Sequence, residues 1–503
     1  MFVLTDARVY RYDPTAALYT RHDALAIDGD RIVALDADAV GAGVVRISLG
    51  GATVLPAFAD CHVHLTDTGY FLGTRNLGAT RSYDDFAAAI ARVPLENGIA
   101  FAGQYDESFW QDGGLADAAP LNRLHPDARA MVVRVDGHSC VVNRATLAWL
   151  ALPSETAGIE RDAAGHPTGK LLLDANWRAQ AAFMDAIPIF VKRAAESRAA
   201  QTALSRGALH LHAQLVGFKR EEYADEIAAL RALPGKWYPK ICEPDPQLAA
   251  ELGLPYVGGD VFLDGSIGSC TAAVGEPFVS GAAADRDACG ELRYSDDAVY
   301  AYFATAEAMG ISAGVHAIGD RAIEQCIATW ERVLGGHPST RGTRHFIEHF
   351  EIATPDHIEA CARMGIYLSM QPQFDALWGG LGNMYEARLG TARMRTMNAL
   401  GRIQRAGAVL CGGDDSPVCN LDPLEGMQAC IEHHEPTERL TPQEALTTYT
   451  HNAARLAHVE RQTGILAPGY AADFVVLDND PLDGKAFTDC KVLQTWSDGN
   501  RLF

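Results

Sequence analysis

Two kinds of apolar period divide the chain. Short apolar runs separated by polar turns, such as Asp28-Gly29-Asp30, occupy 2–10, 23–28, 31–36 and 44–55, and similar runs return at 472–477 and 491–496. These predict strands. Strands this short are not stable alone, so residues 1–55 and 460–503 are expected to pair into one composite β-sandwich. From about 188 onward, helical and strand periods alternate. Helices are predicted at 188–205, 221–233, 296–309, 323–334 and 355–364, with another ending near Arg405. Strands are predicted at 208–213, 237–241, 257–263, 312–316, 344–348, 365–370 and 408–412, and the run 57–64 adds an earlier one, making eight. Strand–helix alternation builds a parallel sheet, and eight units suit a closed barrel. An open doubly wound sheet is the other reading, but no Gly-x-Gly-x-x-Gly follows the first strand. The expected fold is therefore α/β: a (β/α)8 TIM-like barrel over 56–459, with the small β-sandwich beside it.

An insertion at about 70–187, after the first barrel strand, breaks the rhythm. It holds a helical segment at 83–92, a strand at 130–135, the loop Asp136-Gly137-His138-Ser139 and a turn-rich hairpin at 160–169. Two helices, at 424–434 and 442–456, follow the last barrel strand. No internal repeat or low-complexity tract interrupts the chain.

Composition narrows the partners. The 503 residues are 48% hydrophobic and 21% charged, which fits a globular protein with a large core. With 42 basic and 64 acidic residues the formal charge is −22, which argues against nucleic acid and anionic membrane as partners and leaves a small-molecule substrate. No run approaches the roughly 18 apolar residues of a membrane span. The opening stretch, Met1 to Arg8, turns polar at once and lacks the apolar region of a signal peptide. Eleven scattered cysteines with no Cys-x-x-Cys suit reduced thiols, so a cytoplasmic location is expected, with homo-oligomerisation left open.

The candidate chemistry begins at Ala57–His64. On a strand alternate side chains share a face, so His62 and His64 point one way and Val63 the other. Two imidazoles at a strand end make half a metal site, although a bare His-x-His is more often core or surface. The C-terminal ends of the other predicted strands supply more donors: His316 on the fifth, His349 after the sixth, and Asp414-Asp415 after the eighth. Imidazole and carboxylate without thiolate point to zinc, with manganese or iron as alternatives.

The chain resembles the amidohydrolase superfamily, in particular the branch that contains N-substituted formamide deformylase. The resemblance runs nearly end to end. It rests on Asp60-Cys-His-Val-His64, Asp136-Gly-His-Ser139, Thr168-Gly169, Leu263-Asp-Gly-Ser266 with Thr271-Ala272, Val315-His-Ala-Ile-Gly-Asp-Arg-Ala322, Ile347-Glu-His349, Gln371-Pro372, Gly413-Asp-Asp-Ser-Pro-Val418 and 464–473. It implies the barrel and sandwich above, one or two metal ions, and hydrolysis of carbon–nitrogen bonds. By resemblance, His62, His64, His316, His349 and Asp415 are the metal positions, Asp415 being the aspartate two residues before Pro417. Many relatives carry a lysine four residues before the Asp-Gly of strand four, and its carbamate bridges two ions. This chain has Asp260 there. Its carboxylate either bridges directly or is too short and leaves one ion; Lys240 is a substitute source of carbamate.

These residues lead to an expected function: a metal-dependent hydrolase acting on a non-peptide amide or N-formyl bond, with Asp415 as proton shuttle and His138 reaching the substrate. The alternatives are a cyclic amide, lactone or deaminase-type hydrolase, or a catalytically idle metal-binding regulator, against which the retained histidines and Asp415 speak. Trp110, Phe374 and Trp378 are expected near an apolar substituent. His210 and His212 are read as barrel filling, His345 as structural, Cys270 as packing, and His433-His434 as surface. Asp320 is read either as orienting a ligand imidazole or as stabilising its helix start.

Overall fold

The computed structural model describes residues 1–36, 44–279 and 288–503. Strands from both ends of the chain share one eight-stranded sheet. At its centre Val45–Pro56 runs parallel to Phe2–Asp13 and antiparallel to Phe474–Leu477, with Phe474 opposite Pro56. Leu4, Val9, Ile27, Val54, Phe474 and Val476 bury one face of it. One strand, Leu18–His22, was not predicted. Most of its side chains are exposed, so it lacks the apolar alternation that marks its neighbours.

Val45–Pro56 leads directly into Phe58–Val63, the first of a set of parallel strands. This strand pairs with Ala208–Leu215, which pairs in turn with Lys236–Trp237 and Lys240–Ile241. The amide of Gly258 donates to the Ile241 carbonyl at 2.9 Å, bringing in Tyr256–Val257. Ser312–Ala317, Phe346–His349, Tyr367–Met370 and Val409–Gly412 follow in parallel register. The last strand returns to the first: Asp415 donates to the His62 carbonyl and His64 to the Ser416 carbonyl, both at 2.8 Å. Hydrogen bonds thus run round the whole set, with helices between successive strands.

Helix limits follow capping chemistry. Asp296–Met309 starts where Ser295 accepts from the Ala298 amide and stops at Gly310, in the left-handed region. Pro355–Met364 has a reciprocal box between Thr354 and His357 and stops at Gly365. Both helices match the predicted limits.

The fourth strand departs from expectation. Only Tyr256–Val257 joins the ladder; Gly258 and Gly259 then take φ of +83° and +110°. A Cβ at Gly258 would stand 2.1 Å from the Gly314 carbonyl oxygen, so only glycine passes here. Pairing resumes at a single bridge between Phe262 and His316. The irregular stretch between carries Asp260.

The region read as an insertion contains a six-stranded sheet of its own, ordered from Ile159–Arg161 to Leu95–Glu96. Phe101, Met131 and Val133 face one apolar cluster and Ala100, Ala102 and Val132 another, the two-face alternation of a strand. Trp110 packs in the second cluster with Phe86 and Tyr105, away from the site, because this sheet needed a large side chain to cover it. Among the described residues no helix is long and apolar enough to cross a membrane.

Candidate metal centre

At the C-terminal ends of the parallel strands, imidazoles and carboxylates converge. Nε2 of His62 lies 3.2 Å from Asp260 Oδ2 and 3.3 Å from Asp415 Oδ1. Nε2 of His64 is 3.1 Å from the same two oxygens. Nε2 of His349 approaches the other Asp260 oxygen, Oδ1, at 3.6 Å. Metal bonds of ~2.0–2.1 Å in tetrahedral array separate ligand atoms by about 3.3 Å. The arrangement therefore fits a cation, and the donors form two overlapping groups: His62, His64 and Asp415, and His62, Asp260 and His349. Asp260 presents one oxygen to each group.

His316 is drawn in less closely. Its ring centroid is 4.4 Å from that of His349 and its Nδ1 is 3.3 Å from Asp264 Oδ1, but it joins neither group. Asp264, not Asp320, is the carboxylate beside this imidazole. Asp320 instead accepts from the Gly275 amide at 2.8 Å.

Two observations test the fit of a cation. Asp260 Oδ1, Asp415 Oδ1 and His316 Nδ1 are buried without a hydrogen-bond partner among the described residues, an arrangement that leaves charge unbalanced unless something binds. The acid–base balance agrees. Burial works against the charged form of His64, yet its contacts with Asp260 and Asp415 raise it to about 10. Burial likewise opposes charge on His62, but Asp260, Asp415 and Glu348 push it well above the ordinary range. Burial would raise the two aspartates, and the neighbouring histidines instead pull both well below the usual carboxylate range. Without a metal, protons on these imidazoles are the site's cation.

A pH dependence follows. The folded value of His64, about 10, lies above its ordinary 6.5, so its stabilisation of the metal-free chain is full below about 6.5 and is lost as pH rises through 10. The depressed aspartates act oppositely, stabilising above their ordinary 3.8 and losing that contribution as pH falls. The chelated protein should therefore melt at progressively lower temperature from pH 6.5 to 9.5. The protein with excess zinc should decline less, because metal replaces the protons. Parallel melting curves for the two forms would contradict this account.

Supporting contacts fix the ligands. Nδ1 of His62 meets Glu348 Oε2 at 2.9 Å, leaving Nε2 toward the centre. Lys240 donates to Glu348 Oε1 at 2.6 Å and to the Cys61 carbonyl at 3.1 Å. Its ammonium is thus held in a buried ion pair, which removes it as a source of carbamate. Nδ1 of His349 pairs with Gln371 Oε1 at 2.8 Å. Asp414 turns away, accepting from the Asp422 amide at 2.8 Å. Asp415 (φ +52°), His349 (+72°) and Phe350 (+53°) all lie in the left-handed region, a concentration of backbone strain at the site.

A cavity of about 420 Å³ opens over the centre; His64, Asp260, His316, His349 and Asp415 line it, and so does His138. His138 packs against Trp177, Phe262 and His316, and burial together with His316 lowers it to about 4, so it is neutral. Phe374 and Trp378 line the wall as expected. Arg134 does too, saturated by Asp106, Glu107 and Asp136 at 2.8–3.1 Å. Asp136 stands two residues from Arg134 in the Asp136–Ser139 motif, whereas Asp106 and Glu107 come from a separate segment of the insertion that no local motif announced.

The other histidines are outside this cavity. His210 bonds Tyr238 and Thr463, and His345 stacks on Trp330 at 3.8 Å. The surface reading of His433-His434 is corrected. The helix ends at Glu432, and both rings turn inward on Asp375, with His433 only 1% exposed. They anchor Pro372–Trp378, the helix that carries Phe374 and Trp378.

The fold and these residues agree with what sequence comparison finds. The chain belongs to the amidohydrolase family, which residues 46–503 match. It is 29% identical over 472 residues to YtcJ of Bacillus subtilis (strain 168), an amidohydrolase by name, covering 87% of this chain and 86% of YtcJ. It is 24% identical over 535 residues to the N-substituted formamide deformylase of Arthrobacter pascens, covering 94% and 92%. The crystal structure of an uncharacterized metal-dependent hydrolase from Pyrococcus horikoshii OT3 shares its fold, with a TM-score of 0.74 at 22% identity over 97% of this chain and 99% of that one.

Proposed function

We propose that the protein hydrolyses a non-peptide carbon–nitrogen bond, of amide or N-formyl type, in a small molecule. The circuit of parallel strands is read as a (β/α)8 barrel and the shared terminal sheet as its β-sandwich companion. The observation that carries the reading is the meeting of His62, His64, His349, Asp260 and Asp415 at ligand spacing on the floor of a cavity sized for a small molecule. Zinc suits this donor set, held by those residues with His316 alongside.

A bound divalent cation supplies water whose pKa is lowered toward neutrality and polarises the carbonyl. Asp415 accepts the proton as the water oxygen bonds to the carbonyl carbon, and later gives it to the nitrogen as the C–N bond breaks. Its contacts with His62 and His64 keep it ionised, with its carboxylate facing the centre. Neutral His138 donates an N–H toward the carbonyl oxygen as negative charge develops there. Phe374 and Trp378 exclude water from one side and hold the substituent.

The test is a screen of zinc-loaded protein against N-formyl amines, open-chain N-acyl amines, cyclic ureas, lactones and aminated rings. Turnover on the first two, abolished by a chelator, is expected. Turnover confined to lactones or ring deamination would overturn the bond assignment.

A further inference from the structure

Glu351 has no part in the chemistry above, yet it lines the same cavity and is only 3% exposed. The backbone goes to unusual lengths to place it. His349 and Phe350 take consecutive left-handed conformations, turning the chain just beyond the strand. Amide bonds from Phe350 to the Ala317 carbonyl and from Ile352 to the Ile318 carbonyl pin that turn, and the Asn398 amide closes on the Glu351 carbonyl at 2.8 Å. The Tyr385 hydroxyl donates to one carboxyl oxygen, Oε2, at 2.6 Å. The other has no partner among the described residues. Among the described residues no arginine or lysine pairs with the group, and the charged side chains nearest in effect are His349, Asp264 and Asp415. The adjoining wall is apolar, formed by Ile318, Phe374, Trp378 and Met384.

The carboxyl is set in an apolar wall, with one oxygen held by Tyr385, the other open to the cavity, and no arginine or lysine partner among the described residues, so it is placed to take a donor from a ligand. We propose that Glu351 is the specificity-determining residue of the cavity and pairs with a cationic N–H donor, an ammonium or amidinium, at the end of an apolar or aromatic substituent of the substrate. Tyr385 fixes one oxygen and leaves the other for the ligand. The assignment deepens the proposed function, since it takes the cavity to be the substrate site. It names the class of amide: one whose non-reacting portion is an apolar spacer ending in a basic nitrogen.

Binding can be read without turnover. Benzamidine and benzamide have nearly the same shape, but only the first is cationic. By calorimetry the zinc-loaded wild-type protein should bind benzamidine about tenfold or more tighter than benzamide, the range of one charge-assisted hydrogen bond. Glu351→Gln should reduce that preference to about twofold or less. Tyr385→Phe leaves the carboxylate in place and should keep the preference, whereas a purely structural Glu351–Tyr385 pair would make the two variants behave alike. No preference in the wild type, or full preference in Glu351→Gln, would overturn the assignment. Should Glu351→Gln not fold, the wild-type preference and Tyr385→Phe still decide. Because the readout is binding, a protein that prefers benzamidine through Glu351 but cleaves no amide would sink the reaction assignment alone. One that cleaves amides without any charge preference would sink this inference alone.

Discussion

Replacing Asp415 with asparagine is expected to lower turnover by on the order of a hundredfold or more, the usual range for a lost acid–base group. Asparagine keeps the volume and one carbonyl oxygen but cannot take a proton. The structure adds a reason for severity. Asp415 Oδ1 stands within 3.3 Å of both His62 and His64, so the carboxylate serves the centre and the proton transfer from a single position. Its left-handed backbone leaves little freedom for a neighbour to substitute. Asp414 cannot step in, because its side chain is committed to the Asp422 amide. Metal content should fall less than in His62→Ala, since the amide oxygen still faces the centre. An Asp415→Asn enzyme with undiminished turnover would end the proposed mechanism, whatever its metal content.

The second large effect is expected at Asp260. One oxygen faces His62 and His64 and the other faces His349. That is the disposition of a bridge, in which one carboxylate offsets the repulsion between two cations. If two ions bind, Asp260→Ala should lower metal per chain by about one, measured by elemental analysis against the parent. If one binds, stoichiometry stays near one and affinity alone weakens. Retention of two ions at parental affinity would show that Asp260 takes no part. Glu348 provides the internal comparison, because besides Lys240 and Gln214 it meets His62 only at the nitrogen away from the centre, and its loss should loosen the ion without changing the count.

The legibility of this site in the sequence varies with the kind of signal each residue carries. His62 and His64 were visible because a strand's two-residue period puts them on one face. His349 and Asp415 were visible because they follow predicted strands. Strand ends were approximate, yet the helices at Asp296–Met309 and Pro355–Met364 stood where their capping residues placed them. Asp260 was found as a departure from a family pattern; the double-glycine break that frees it was not foreseen, since 257–263 was read as one strand straight through Gly258 and Gly259. Glu348 reaches His62 from a strand 286 residues further along the chain and Asp264 reaches His316 from the neighbouring strand, and no local pattern encodes either partner. Glu351 and Tyr385 are likewise brought together only by tertiary structure. Trp110 was misplaced for the converse reason: an aromatic on an unrecognised sheet looks the same in sequence as one on a pocket wall. His433 and His434 were misjudged because the helix was extended past Glu432, and periodicity past a helix end says nothing.

The strand Val45–Pro56 has neighbours from opposite ends of the chain, Phe2–Asp13 on one edge and Phe474–Leu477 on the other. It continues into the strand that carries His62, where the Ala57 amide bonds the Asp473 carbonyl. During synthesis that edge stays open until residues 474–477 have left the ribosome. The strand that leads into His62 and His64 thus spends most of translation half-paired, a contact of extreme sequence separation and slow closure. Assembly of the centre is in this sense a late event by topology. A nascent chain can hold its histidines long before it can hold them in place.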